Sequence, residues 1–249
     1  MYTNSIEIAC GSVAGAMHRR LGRPNQDAAH VVQTPHGTAI AVCDGCGSGA
    51  RSEIGAALGV RLWAAAIAEQ LAGGEPIDFA VIAATVLERL AVVAAALGER
   101  AEVTRDHLLF TSLCAAITDD ELVVAAIGDG VIGLGDEIVV LGPFADNQPP
   151  YLTEAWFGVT HTPVVWRRSR RDVGSVMLAT DGAVPITRDD FADLAGSDVL
   201  YRNRVALTRR LGQLADDRIE IDWDAHRTVR HAALLDDDTT VVLARWSQP

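Results

Sequence analysis

The chain has 249 residues, 49% of them apolar, which is enough to build a substantial core in one domain spanning 1–249. All 21 basic residues are arginine, and against 33 carboxylates they leave a net charge of −12, which argues against bulk attraction to nucleic acid or to an anionic membrane surface. The four cysteines, Cys10, Cys43, Cys46 and Cys114, are too few and too scattered for a disulfide framework in a chain this long.

Alternating apolar residues predict strands over 6–13, 28–33 and 38–43, the third running into the glycine-rich turn from Gly45 to Gly49. Helical spacing predicts a helix from Ser52 to Leu71, stopped by Gly73 and Gly74, and a second from the N-cap candidate Asp78 to Leu97, ended by Gly98. These two are expected to pair antiparallel. Short apolar runs over 111–118, 122–127, 131–134 and 138–141, joined by tight polar turns, predict an antiparallel meander. The stretch from Gly142 to Pro163 has four prolines and little periodicity, so it reads as a long surface loop, a candidate flap. Strands resume over 164–167 and 175–179, followed by helices over 188–195 and 202–215 and a last strand over 240–246. Helices inserted among antiparallel strands predict an α+β sandwich rather than repeated βαβ units. No charged and apolar leader is visible, and Glu69, Glu88 and Arg89 interrupt the alanine-rich stretches, so the expectation is a soluble, cytoplasmic protein.

Three carboxylate motifs touch apolar runs: AIAVCDG ending at Asp44 and Gly45, VMLATDG ending at Asp181 and Gly182, and DDDTTVVLA opening from Asp236 to Asp238. Each alone reads as an ordinary turn or cap. Carboxylates converging from the ends of several buried strands, however, repel one another unless a cation sits between them. Oxygen-only ligands suit magnesium or manganese, and a carboxylate shared by two ions suits in-line displacement at phosphorus.

In order along the chain, GRPNQDAAH, AVCDGCGSGARSEIGA, FTSLCAAI, AIGDGVIGL, VMLATDGAV and DDDTTVVLA resemble the successive motifs of the metal-dependent protein phosphatase 2C family, across roughly residues 10 to 246. The resemblance implies an antiparallel β-sandwich flanked by helix pairs in α-β-β-α layers. It also implies a centre of two manganese or magnesium ions, with a third held weakly, and hydrolysis of phosphoserine or phosphothreonine by a metal-activated water. On this basis Asp44 resembles the bridging carboxylate, Gly45 the carbonyl ligand, Asp181 the ligand of the other metal and Asp237 its partner. Asp237 is preferred to Asp236 because Asp237, Asp238, Thr239 and Thr240 best fit the family's Asp-Asn-x-Thr pattern. Asp27 resembles the acidic residue beside the metal waters, and Asp129 the one associated with the third ion. The phosphate clamp falls among His18, Arg20 and Arg23, with Arg23 nearest the motif. The implied partner is a phosphorylated protein, either a cognate serine/threonine kinase or its target.

The departures from the family pattern bear on activity. Gln26 stands where many members have glutamate, although an amide can still bond a metal water. Cys46 stands where many have a histidine acting as acid toward the leaving group, a role that a thiol fills poorly. Gly130 replaces a serine, so a looser turn is expected there. These motivate an alternative reading, a weak or inactive member that binds a phosphoprotein without turnover. Two further patterns carry less weight. Gly45, Gly47 and Ala50 fit a dinucleotide fingerprint that would require a parallel sheet, and Cys43 with Cys46 forms a lone Cys-x-x-Cys pair better explained by packing. Arg167, Arg168, Arg170 and Arg171 read as a solvated hairpin in preference to an anion dock.

Overall fold

A computed structural model describes residues 6–186 and 188–246 of the chain. It opens with β1 (Glu7–Val13), the short helix α1 (Ala16–Leu21) and the hairpin β2 (Asp27–Thr34) and β3 (Gly37–Asp44). Two long helices come next, α2 (Ser52–Gly73) and α3 (Phe79–Leu97), then α4 (Arg100–Val103) and a π-helical turn over Thr104–Leu108. Asp78 caps α3 as expected, its carboxylate accepting from the Ala80 and Val81 amides. Gly74, at φ 72°, ends α2 in the left-handed conformation that glycine adopts without cost.

The next four strands are β4 (Ser112–Ile117), β5 (Glu121–Ile127), β6 (Gly130–Leu134) and β7 (Glu137–Leu141). They do not form the expected meander. β4 and β5 pair with each other in one sheet, whereas β6 and β7 pair in the other. The chain crosses between sheets at Gly128 and Gly130, whose φ values of 101° and 137° lie where glycine is favoured over residues with a side chain. β8 (Val164–Ser169) and β9 (Ser175–Ala179) likewise fall in different sheets. Beyond them lie α5 (Arg188–Gly196), α6 (Asp198–Arg202), α7 (Ala206–Ala215), the hairpin β10 (Arg218–Asp222) and β11 (Arg227–His231), and finally β12 (Thr239–Arg245). The single helix expected over 202–215 is broken at Asn203, whose side chain accepts the Val205 amide and competes with the helical ladder.

The first sheet has the order β2-β3-β4-β5-β8 and the second β1-β12-β9-β6-β7, with every pairing antiparallel. A parallel dinucleotide-binding sheet is thereby excluded. Alternation along the strands sorts side chains into three apolar layers. Ile40, Val42, Leu113 and Val124 face Leu178 and Val242 between the sheets. Ala39, Ala41 and Cys43 face α2 and α3 on one outer side, around Trp63 and Leu90. Met177, Ala179 and Leu243 face Leu207 and Leu211 of α7 on the other. The result is the expected α-β-β-α stack.

Both α2 and α3 are long and apolar enough to cross a bilayer by length and composition, so the interrupting charges do not have the effect expected of them. Here α2 lies on β2 and β3, and α3 on α2. Close approach is possible because Gly55 and Gly59 present no side chain: a Cβ at Gly59 would come within 2.5 Å of the Phe110 ring. The arginine cluster is structural. Arg170 is buried, donates to the Thr118 carbonyl and stacks 5.2 Å from the Trp246 ring, while Arg167 and Arg168 pair with Glu121 and Glu137. Arg170 is therefore buried rather than solvated.

Candidate metal centre

Antiparallel pairing brings strand beginnings and strand ends to one pole of the sandwich. Register places Asp27, the first residue of β2, directly opposite Asp44, the last of β3. On the second sheet, Asp181 follows β9 and Asp237 precedes β12, and the two strands are neighbours. Asp44, Gly45, Asp129, Asp181 and Asp237 all line one cavity of about 1050 Å³. Asp27 lies just beneath, its Oδ2 accepting the Thr180 hydroxyl at 2.7 Å.

The electrostatics are those of carboxylates held together against their charge. Burial first, then the neighbouring Asp27, Asp181 and Asp237, pushes Asp44 well above the usual range. Asp27 is pushed up to about 8 by burial, with Asp238 and Asp181 adding to the effect, and Asp129 to about 6 by burial and Asp181. Asp237 is also raised, by burial first and then by Asp181 and Asp238.

Two buried acceptors, Asp27 Oδ1 and Gln26 Oε1, have no hydrogen-bond partner among the described residues. Orphaned oxygens beside like-charged carboxylates fit hydrated divalent cations, and the all-oxygen donor set suits magnesium or manganese. Gly45 is held by its amide to the Gln26 carbonyl at 3.1 Å, and a Cβ there would lie 2.8 Å from that oxygen and from Ser52. Only glycine lets the turn after β3 approach so closely.

Asp238 is the anchor of the centre, a role that its sequence context does not reveal. It is buried and accepts from the Gly15 amide at 2.8 Å, the Gln26 amide at 2.6 Å and His18 Nδ1 at 2.7 Å. These bonds tie β12 to the segment carrying Asn25, Gln26 and Asp27. His18, Asp237 and Asp238 offer ligand atoms within 4.8 Å of one another. A hydroxyl ladder from Asn25 to Ser12 to Thr240, with Thr180 receiving the Thr240 amide, completes the frame. In the sequence these residues are ordinary polar positions on strands or just beyond their ends.

Of the three clamp candidates, His18 and Arg23 line the cavity, Arg23 donating to the Gly47 carbonyl. Arg20 instead pairs with Asp217 and Asp236 outside it. Cys46 lines the cavity, whereas Cys43 is buried toward α2, so they form no ligand pair. Burial pushes the Cys46 thiol up, but bonds from Ser48 and Tyr151 outweigh it and hold the thiol below its ordinary value. The segment over 142–163 walls the cavity and contains two 3-10 turns, Ala145–Asn147 and Leu152–Phe157.

The looser turn expected at Gly130 is corrected by its surroundings. At φ 137° a Cβ would meet the Ala179 carbonyl oxygen and Leu113 Cδ1, both at 2.7 Å. Restoring serine, Gly130→Ser, is expected to cost about 2 kcal/mol in urea unfolding. An unchanged midpoint would contradict this packing.

Residues 14–220 match the family model described as Protein phosphatase 2C. No curated protein matches the chain by sequence. Among solved structures, a bacterial serine phosphatase superposes with a TM-score of 0.65 at 14% identity, covering 98% of this chain and 99% of its own. The Staphylococcus aureus serine/threonine phosphatase Stp1 gives 0.62 at 15% identity, covering 97% and 95%. The catalytic domain of the serine/threonine protein phosphatase PstP, solved with two manganese ions, gives 0.58 at 17% identity, covering 97% and 98%.

Proposed function

The chain belongs to the protein phosphatase 2C family, and from that premise we propose that it is a metal-dependent phosphatase acting on phosphoserine or phosphothreonine of a protein partner. The observation that carries this reading is the convergence of Asp44, Asp181 and Asp237 on one cavity, above the orphaned Asp27 oxygen. Asp44 would bridge two manganese or magnesium ions, with the Gly45 carbonyl on one and Asp181 and Asp237 on the other. Asp129 would attend a third, weakly held ion. When bound, such ions activate water and neutralise charge at phosphorus.

The chain's own residues supply orientation. Arg23, at the cavity mouth and tethered to Gly47, would bind the phosphate oxygens, as would His18 deeper inside. Asp27, fixed by Thr180, and Gln26, fixed by its amide to Ser52 Oγ at 2.7 Å, would orient water beside Asp44. We further propose a cytoplasmic setting, which four free thiols support, and a cognate serine/threonine kinase or its target as substrate. Packing of α2 against the sheet supports a protein without a membrane span.

A second reading, a family member that binds phosphoproteins without turnover, draws on Cys46 and Gln26, which stand where many members have histidine and glutamate. One experiment separates the readings: manganese binding by calorimetry, alongside phosphate release from an aryl phosphate and a phosphothreonine peptide. Manganese-dependent release abolished by chelator is expected. Binding of manganese without release, or no binding of manganese at all, would remove the catalytic reading and leave the second.

A further inference from the structure

The cavity that holds the carboxylate cluster is also lined by an acidic side chain that the centre does not use. Asp146 and Asn147 are consecutive non-glycine residues with φ of 54° and 53°, and with Gln148 they line the cavity mouth. Left-handed backbone at a non-glycine residue costs energy, although Asp and Asn tolerate it best, so a tandem pair at a cavity rim is a conformation held by its surroundings. Here the turn is closed by the Asn147 amide on the Phe144 carbonyl and the Gln148 amide on the Ala145 carbonyl, with Pro149 and Pro150 stiffening the chain on its C-terminal side.

The other acidic residues of the cavity are accounted for. Asp44, Asp129, Asp181 and Asp237 belong to the proposed centre, and Asp238 accepts three hydrogen bonds. Glu154 accepts from the Tyr151 amide at 2.9 Å and pairs with His161 at 2.8 Å, closing the loop on itself. Asp146 and Asp237 are the exposed acidic residues among those lining the cavity, and whereas Asp237 accepts the Asp238 amide at 2.8 Å, the Asp146 side chain has no hydrogen bond or ion pair among the described residues. A carboxylate presented on a stiff turn at the mouth of a phosphate-binding cavity has one evident complement, a cation on the incoming substrate.

We infer that Asp146 is a specificity residue that recognises an arginine or lysine flanking the phosphorylated residue of the substrate. The inference rests on the phosphatase reading and deepens it by naming the substrate class, a phosphorylated segment with an adjacent basic side chain. Charge supports it. The substrate phosphate is itself anionic and must approach a protein of net charge −12, so a flanking cation lowers the repulsion on approach as well as meeting Asp146 in the complex. The cavity, about 1050 Å³, is at the upper end of what one small ligand fills, leaving room for a phosphorylated side chain and a neighbour.

The test compares three phosphothreonine peptides with the manganese-loaded enzyme: one with arginine immediately before the phosphoresidue, one with arginine immediately after, and one with glutamine at both places. The expected result is a kcat/KM about two- to fivefold higher for at least one arginine peptide, the worth of a single exposed ion pair, shrinking as salt is raised. In Asp146→Asn, which keeps shape and tolerance of the left-handed backbone, the ratio of arginine to glutamine peptide should fall to about one. A wild-type enzyme indifferent to arginine, or an Asp146→Asn variant that keeps the preference, overturns the inference. Turnover of an aryl phosphate by the wild-type protein, which offers Asp146 nothing to bind, tests the phosphatase reading separately.

Discussion

Asp181→Ala is expected to abolish manganese binding and lower phosphate release about a thousandfold or more, since removing one proposed ligand would disrupt the charge stabilisation on which the proposed reaction depends. The same substitution should stabilise the metal-free protein. Asp181 is one of the carboxylates whose proximity raises Asp27, Asp44, Asp129 and Asp237, so removing it relieves repulsion by roughly 1 kcal/mol, or about 3 °C in Tm for a chain of this size. Thermal melts should therefore cross: the variant melts higher in chelator, and the wild type melts higher in manganese. A variant that melts lower in both conditions would mean that Asp181 is an ordinary structural residue.

The pH dependence has a definite sign. Asp27 in the folded protein titrates near 8 against an ordinary value of 3.8, so between those values the folded state holds a proton that the unfolded chain has released. Stability of the metal-free protein must then fall as pH rises through that window, and manganese should flatten the slope by taking the proton's place.

His18→Ala is expected to cost about 3 kcal/mol, because it leaves the Asp238 carboxylate buried with one of its three hydrogen bonds gone. Asp238→Asn in the His18→Ala background should recover part of that loss, since the neutral amide is cheaper to bury without the histidine. The double-mutant cycle in urea would then show a coupling above about 1 kcal/mol. Strict additivity would break the claim that the two act as one unit. Because Asp238 is bonded through the chain to Asp237, manganese affinity in His18→Ala should also drop, about 10- to 100-fold, as when a supporting residue of a metal site is removed.

Much of this architecture is legible in the chain. The run from Ser175 to Ala179 is a strand with those bounds, and the caps at Asp78 and Gly74 are where side-chain chemistry demands them. The carboxylate motifs could be read because each sits at the end of a buried strand, two of them followed directly by glycine. Other features depend on neighbours distant in sequence. Asp236, Asp237 and Asp238 are chemically identical, and only the amides of Gly15 and Gln26 and the ring of His18 set Asp238 apart. Assignment of β6 and β7 to the opposite sheet from β5 turns on positive φ values at Gly128 and Gly130, which periodicity does not register. The hairpin of β10 and β11 leaves little trace in the sequence because its alternation is short and mostly exposed, with Ile219 and Trp223 66% and 76% accessible. The helix α1 has only six residues, too few for a repeat to emerge.

The proposed ligands are divided between the two leaves of the sandwich, Asp27 and Asp44 on one and Asp181 and Asp237 on the other. A pair of cations bridging them would fasten the leaves at one pole like a clasp on a book, closing a very long covalent circuit with bonds that a chelator can undo. Metal loading of the proposed centre and mechanical cohesion would then be a single event, and a chelator that emptied it would leave a protein looser as well as unloaded.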